Sequence, residues 1–286
     1  MRHSTFTWFA APCLFLLMTA MAMAGPAKVH RYDHVVITIM ENTGYSSIMG
    51  NTTDAPYINS LARGGATFSN AHGITHPSQP NYLGLFSGDT QGVTGNGCPQ
   101  HFTGVANLGS QLFAAGFSFA GYSEAMPDDG YTGCKHGNYA RKHNPWVNFD
   151  NVSSTINLTF ASFPKNFTAL PTVSIVVPDL CNDLHNCSIA TGDTWLKNNL
   201  GGYIHWAKTH NSLFILTWDE DHFTVPNQIP LLFAGAYLIQ GSYGEPANHY
   251  DVLRTIEDMY GLTALGNAAV AIPITDVWKR RPPTLR

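Results

Sequence analysis

His34-Val35-Val36-Ile37-Thr38-Ile39-Met40 (HVVITIM) decides the fold, and it runs straight into Glu41 and Asn42. A short β-branched run with no polar alternation reads as a strand covered on both faces. Two more such runs follow, Thr172–Val177 (TVSIVV) and Leu213–Trp218 (LFILTW), with a fourth at Ile229–Ala234 and lesser strands at Ala66–Asn70 and Phe117–Gly121. Helical stretches lie between them. One is capped by Asp54, opened by Pro56 and stopped by Gly64. The others are Ser78–Ser87, Leu108–Ala115, Asp193–Lys208 and the amphipathic His249–Tyr260 ahead of Gly261. This alternation predicts an α/β fold: a mostly parallel central sheet with helices on both faces. From about 88 to 171 the chain is rich in Gly, Asn, His and aromatics, and reads as a loop-rich insertion in a single domain spanning 25–286.

The 286 residues are 44% hydrophobic but only 12% charged, about half the usual share. That excludes a disordered chain, which needs low hydrophobicity and high charge, and a coiled coil, which needs charged heptads. The net charge is −4 and no basic stripe stands out, so phosphate-neutralising nucleic-acid binding is not expected. Thirteen histidines in so uncharged a chain point to metal or acid–base chemistry.

Residues 1–24 read as a signal peptide. Arg2 and His3 start it, Trp8–Met23 is apolar, and Ala22-Met23-Ala24 is a small-x-small cleavage site. No later stretch reaches the roughly 18 apolar residues of a membrane span, so no stable membrane anchor is expected and the mature chain should be secreted or periplasmic. Beyond Cys13 the cysteines are Cys98, Cys134, Cys181 and Cys187. An even number in an oxidising compartment predicts two disulfides. Of three possible pairings, Cys98–Cys134 with Cys181–Cys187 is favoured, because the latter closes a very short loop. Asn-x-Ser/Thr sequons stand at Asn51, Asn151, Asn157, Asn166 and Asn186.

Polar residues that do not fit a core gather just after the strands, where open α/β sheets bind ligands. Glu41 and Asn42 follow the first. Ser78 stands at the expected N-cap of its helix, where free N–H groups favour an anion. Pro178–His185 (PDLCNDLH) puts Asp179, Asp183 and His185 within one short loop. Asp219, Glu220 and Asp221 are three acids in a row before His222, and such crowding demands a cation or raised pKa values. His249 opens the last helix; His72, His76, His101, His136 and His143 are looser candidates. There is no G-x-S-x-G elbow, so an ordinary α/β-hydrolase triad is unsupported. One hydroxyl facing metal ligands from separate strands suits phosphoryl or sulfuryl transfer.

ITIMENTGYSSIMG (37–50), THPSQPNYLGLFSGDT (75–90), PDLCNDLH, LTWDEDH (216–222) and NHYDVLRTIEDMYG (248–261) together resemble the phosphoesterase family of secreted acid phosphatases and bacterial phospholipases C, related to the alkaline phosphatase superfamily. The resemblance runs from about Tyr32 to Leu265 with the motifs in the family's order, and the SQPNY form lies closer to the acid phosphatases. It implies a metal-dependent hydrolase of a small phosphate monoester that works through a phosphoserine. A phospholipase C or phosphodiesterase is the alternative, and a non-catalytic secreted metal- or phosphate-binding protein the second. It implies Ser78 as nucleophile, Asn81 on a phosphoryl oxygen, and Glu41, Asn42, Ser78, Asp219 and Glu220 as metal ligands. Asp179, Asp183 or His185, and His249 resemble a second metal or phosphate group. A histidine titrates at about 6.5, so His249 or His185 is expected to protonate the leaving alcohol at mildly acidic pH. Here the chain departs from the pattern: Asp179 and His185 are six apart where D-x-x-x-H is usual, and Asp183 stands at the fourth place. The all-oxygen set favours Mg, Ca or Mn, the histidines favour Zn, and one or two ions per chain fit. No C/S-x-P-x-R signature surrounds Ser78, which argues against a formylglycine sulfatase.

Overall fold

The computed structural model describes Met1 and residues 29–279. Residues 2–24 of the expected leader, Cys13 among them, lie outside the described residues, as does the 280–286 tail. The strands are β1 (His34–Met40), β2 (Ala66–Phe68), β3 (Phe119–Ser123), β4 (Asn157–Thr159), β5 (Val173–Val177), β6 (Ser212–Trp218), β7 (Leu231–Gly235) and β8 (Gly241–Tyr243). The main helices are α1 (Pro56–Gly64), α2 (Ser78–Ser87), α3 (Leu108–Ala114), α4 (Ile189–Ala207) and α5 (His249–Tyr260). The eight strands form one sheet in the order β8-β2-β7-β6-β1-β5-β3-β4. Only β7 runs antiparallel to its neighbours; every other pairing is parallel. The central strands are buried along both faces, as their runs without polar alternation require. Helices α1 and α4 pack together against β6 and β7, while α2, α3 and α5 pack on one another. Among the described residues no helix is long and apolar enough to cross a membrane.

Local chemistry differs from expectation where distant residues intervene. Asp54 does not cap α1; the N-cap is Ala55. The first-turn N–H groups of Tyr57 and Ile58 donate instead to the Asp193 carboxylate of α4, at 3.1 and 2.7 Å. Asp193 is therefore interior to α4, which starts four residues earlier at a Ser188 cap. Ser78 is the first residue of α2 rather than its N-cap, which is Pro77. The loop-rich stretch adds β3 and β4 to the sheet. Gly121 makes this possible: a Cβ there would lie 2.1 Å from the Trp146 indole, which rests on the strand. Trp146 Nε1 donates to Asn157 Oδ1 at 2.8 Å and so holds β4 in place. That buried role turns the Asn157 sequon inward. The disulfides are Cys98–Cys134 and Cys181–Cys187, as favoured.

Helix α5 carries a capping box between Asn248 and Asp251 and ends at Gly261 in the left-handed region. It also buries Glu257 completely. Glu257 Oε1 accepts from Leu265 N at 2.9 Å, and Oε2 has no partner. Burial pushes this carboxyl up to about 7 from an ordinary 4.5. The folded chain therefore holds the proton more tightly than the unfolded one. Glu257 costs nothing below the unfolded value, and costs stability as pH rises from there through 7. Glu257→Gln should raise the melting temperature at pH 8, by the equivalent of about 2 kcal/mol after allowing for solvent screening, and leave it unchanged near pH 4. A gain equal at both pH values would contradict the burial argument.

Candidate active site

Parallel pairing puts the carboxyl ends of β1, β5 and β6 on one edge of the sheet, with Met40 in register with Trp218. Glu41 and Asp219 thus emerge side by side. The chain leaving β2 reaches the same edge and passes through 73–77 into α2. A two-residue parallel ladder, Ala71–His72 with Ala247–Asn248, draws the start of α5 beside it.

Ser78 stands at the centre, 1% exposed. Its Oγ lies 3.0 Å from Glu220 Oε1 and 3.2 Å from Glu41 Oε2, and its single proton serves one of them at a time. Two carboxylates on one hydroxyl stand no more than about 6 Å apart, where like charges repel by about 3 kcal/mol at an effective dielectric of about 20. A proton or a cation must relieve that. Burial and neighbouring acids raise Glu220, and raise Asp219 and Asp183 further. Glu41 goes the other way. Burial alone would raise it, but His143, then the Lys142 charge and the Tyr82 hydroxyl, hold it below the usual carboxylate range. Tyr82 Oη donates to Glu41 Oε1 at 2.7 Å, and His143 Nε2 lies 2.9 Å from the same oxygen. Burial lowers His143 itself, while Glu41 pulls it back up.

Three of these partners were missed or only loosely placed from sequence. Tyr82 is four residues after Ser78 and shares its helix face, a signal that was there to be used. His143 comes from the loop-rich stretch and stacks on Tyr82 with ring centroids 5.0 Å apart. Nothing local marks it. His76 pairs Nδ1 with Glu220 Oε2, and its ring stacks on the exposed Phe223. His72 only braces a loop, contacting the Pro226 carbonyl and Asn70. His101 and His136 are exposed on the surface.

Several expectations meet a different geometry. Asn81 uses its whole amide on the loop before Ser78: Oδ1 accepts from Ile74 N and Thr75 N, and Nδ2 donates to Thr75 O and Pro77 O. It positions the nucleophile's loop and has no group left over for a phosphoryl oxygen. The first turn of α2 is also poorer in donors than expected. Gln79 N–H is taken by Asn96 Oδ1 at 3.0 Å and Pro80 has none, which leaves the Ser78 N–H. His249 is buried, donates from Nε2 to the Asp219 carbonyl at 2.8 Å, and is pushed down to about 4 by burial. It is therefore neutral at mildly acidic pH, which does not suit it to protonate the leaving alcohol. Asp179 Oδ1 caps its own loop through Cys181 N and Asn182 N. His185 is exposed, with Nδ1 on Asn186.

A divalent ion fits the inner set by donor chemistry. Asn42 Oδ1, Asp219 Oδ2 and Asp183 Oδ2 are buried oxygens without a partner, and all belong to the acidic cluster. Asn42 itself is held in the left-handed region, φ 45°, with its N–H on Asp219 Oδ1 at 3.1 Å. Among the described residues, however, no three His, Cys, Asp or Glu side chains converge at ligating spacing. The acids are arrayed around Ser78 Oγ instead. A cleft of about 800 Å³ between α1 and the β8 edge is lined by none of these site residues and carries Arg63 but no acid.

The phosphoesterase family model matches residues 51–263. A phosphatidylinositol-3-phosphatase of Mycobacterium tuberculosis is 51% identical over 249 residues, covering 86% of this chain and 83% of its own. An acid phosphatase of Aspergillus fumigatus is 29% identical over 228 residues, 72% of this chain but only 51% of its own. A solved alkaline phosphatase superfamily protein from Vibrio parahaemolyticus superposes with a TM-score of 0.59 at 15% identity, covering 89% of this chain and 72% of that one. This last likeness speaks to the fold.

Replacing Asn81 by Ala would strand the Ile74 and Thr75 N–H groups. Urea unfolding should then show a loss of about 2–4 kcal/mol. A loss under about 0.5 kcal/mol would mean that the loop holds itself.

Proposed function

The chain belongs to the phosphoesterase family, and from that premise we propose that it hydrolyses phosphate monoesters through a phosphoserine on Ser78. The observation that carries the reading is the Ser78 hydroxyl, seated on the first residue of α2 within hydrogen-bond reach of both Glu41 and Glu220. Either carboxylate can take its proton as Oγ attacks phosphorus. The O–P bond to Ser78 forms, the P–O bond to the alcohol breaks, and the alcohol leaves with the proton that the carboxylate took. Water then splits the phosphoserine and frees the hydroxyl. Tyr82, whose own pKa is raised well above 10 by burial and by Glu41, stays a hydrogen-bond donor and holds Glu41 in place. His76 does the same for Glu220 from the opposite side.

Glu41, Asn42, Ser78, Asp219 and Glu220 would hold a divalent ion, and the all-oxygen set suits Mg, Ca or Mn better than Zn. Such an ion, when bound, lowers the pKa of the hydroxyl and neutralises charge gathering on the phosphoryl oxygens. Asp183 and His249 remain near enough to the inner acids to serve a second site, whereas the exposure of His185 argues against it. The relatives' names favour monoesters over diesters, and the 51% identical one adds a phosphorylated inositol lipid as a substrate class to try. Secretion is part of the proposal: two disulfides belong in an oxidising compartment.

Release of phosphate from an aryl phosphate tests this. Wild-type protein should lose activity in EDTA and regain it with one of Mg, Ca, Mn or Zn added singly. Ser78→Ala, with an unchanged melting temperature, should fall at least about a thousandfold. A Ser78→Ala protein that keeps more than a few per cent of the wild-type rate would remove Ser78 from the chemistry.

A further inference from the structure

A cavity of about 240 Å³ is walled by Asn96, Cys98, Cys134, Lys135, Lys142 and His185, with Ala140 and Leu180 beneath. It adjoins the reactive serine by two routes. Asn96 accepts the N–H of Gln79, the residue after Ser78. Lys142 precedes His143, whose ring lies 2.9 Å from Glu41 and 6.5 Å from the His185 ring. Neither lysine lies within 4 Å of a carboxylate among the described residues, and Lys142 is the one near enough to act on Glu41 and Asp183. Their placement is built. The Cys98–Cys134 disulfide forms one wall and fixes Lys135 beside it, and the Lys135–His136 strand pairs with Tyr139–Ala140, two residues before Lys142. In a chain of net charge −4, two lysines around one cavity form a local cationic field beside an acidic one. The chemistry proposed above gives neither lysine a bond-making or bond-breaking step.

Resting on the phosphoesterase reading, we propose that this cavity is a second anion subsite, which selects phosphate esters whose leaving alcohol carries another phosphate group. Lys135 and Lys142 clamp that second phosphate while the first meets Ser78. The volume admits a phosphate with part of a polyol ring but no acyl chain. The shared chemistry is a polyol bearing two phosphates, and it has two sources: a soluble bisphosphate, or an inositol lipid whose diester phosphate is the second anion.

The test is the joint replacement Lys135→Gln with Lys142→Gln. The side chains belong to surface segments, and the melting temperature checks that the fold is kept. The ratio of kcat/KM for inositol 1,3-bisphosphate to that for an aryl monophosphate is measured, and likewise for a short-chain phosphatidylinositol 3-phosphate. The variant should lower one or both ratios by about tenfold or more, the scale of a lost charge-assisted phosphate contact. A fall for the lipid alone names the lipid headgroup as the source, and a fall for the soluble compound alone names the bisphosphate. Ratios that do not move overturn the subsite while leaving Ser78 chemistry standing. Calorimetric binding of inositol 1,3-bisphosphate and of the short-chain lipid to Ser78→Ala protein, with and without the lysine changes, gives the same decision without turnover. Weaker binding of either compound on loss of the lysines supports the subsite, and equal binding of both overturns it even if the catalytic reading fails.

Discussion

One serine hydroxyl lies between two buried carboxylates, and the rest of the site follows from that constraint. Glu41 and Glu220 approach Ser78 from adjacent strands of a parallel sheet, and water cannot screen them. Uncompensated, the arrangement is unfavourable. The surroundings compensate it in part: Tyr82 and His143 on Glu41, His76 on Glu220, the Asn42 N–H on Asp219. What stays uncompensated is a set of buried oxygens with no donor, on Asn42, Asp183 and Asp219. Polar atoms left so are costly unless a ligand meets them. The cost is the physical reason for reading the cluster as built to receive a cation and a phosphoryl group.

Much of the remaining architecture keeps that hydroxyl in place. Asn81 ties down the loop ahead of α2 with its whole amide, so the nucleophile enters the helix at a fixed point. Gly88 ends the helix in the left-handed region, where any Cβ would lie 2.2 Å from the Leu265 carbonyl. Helix α2 is therefore clamped at both ends. The Cys181–Cys187 disulfide closes the loop that presents Asp183, whose carbonyl accepts the Glu41 N–H. Buried charge concentrates at the site, and the sheet that carries it is a buried, mainly apolar core.

The sheet was legible because its central strands cannot be anything else: HVVITIM, TVSIVV and LFILTW are too short and too β-branched for buried helices. The acids after them were legible for the opposite reason, since a carboxylate following an apolar run needs an explanation. Ser78, Glu41 and Glu220 do come together as their motifs implied. What was hidden depends on contacts distant in sequence. His143 reaches Glu41 across about a hundred residues, from a segment with no periodicity. Asp193 caps a helix 136 positions away, and no local rule finds it. Short β4 has no strand signature, and exists because Trp146 and Asn157 hold it. His249 was read at its ordinary titration range, yet burial removes it from that range.

The central claim is that phosphate passes through Ser78. Acid-quenching the metal-loaded protein during turnover of a phosphorus-labelled aryl phosphate, then digesting it and sequencing the labelled peptide, tests this most directly. The account predicts acid-stable label on Ser78, in a peptide containing the His76–Tyr82 stretch. Label on a histidine, or turnover with no protein-bound phosphate at any quench time together with single-step inversion at phosphorus, would contradict it.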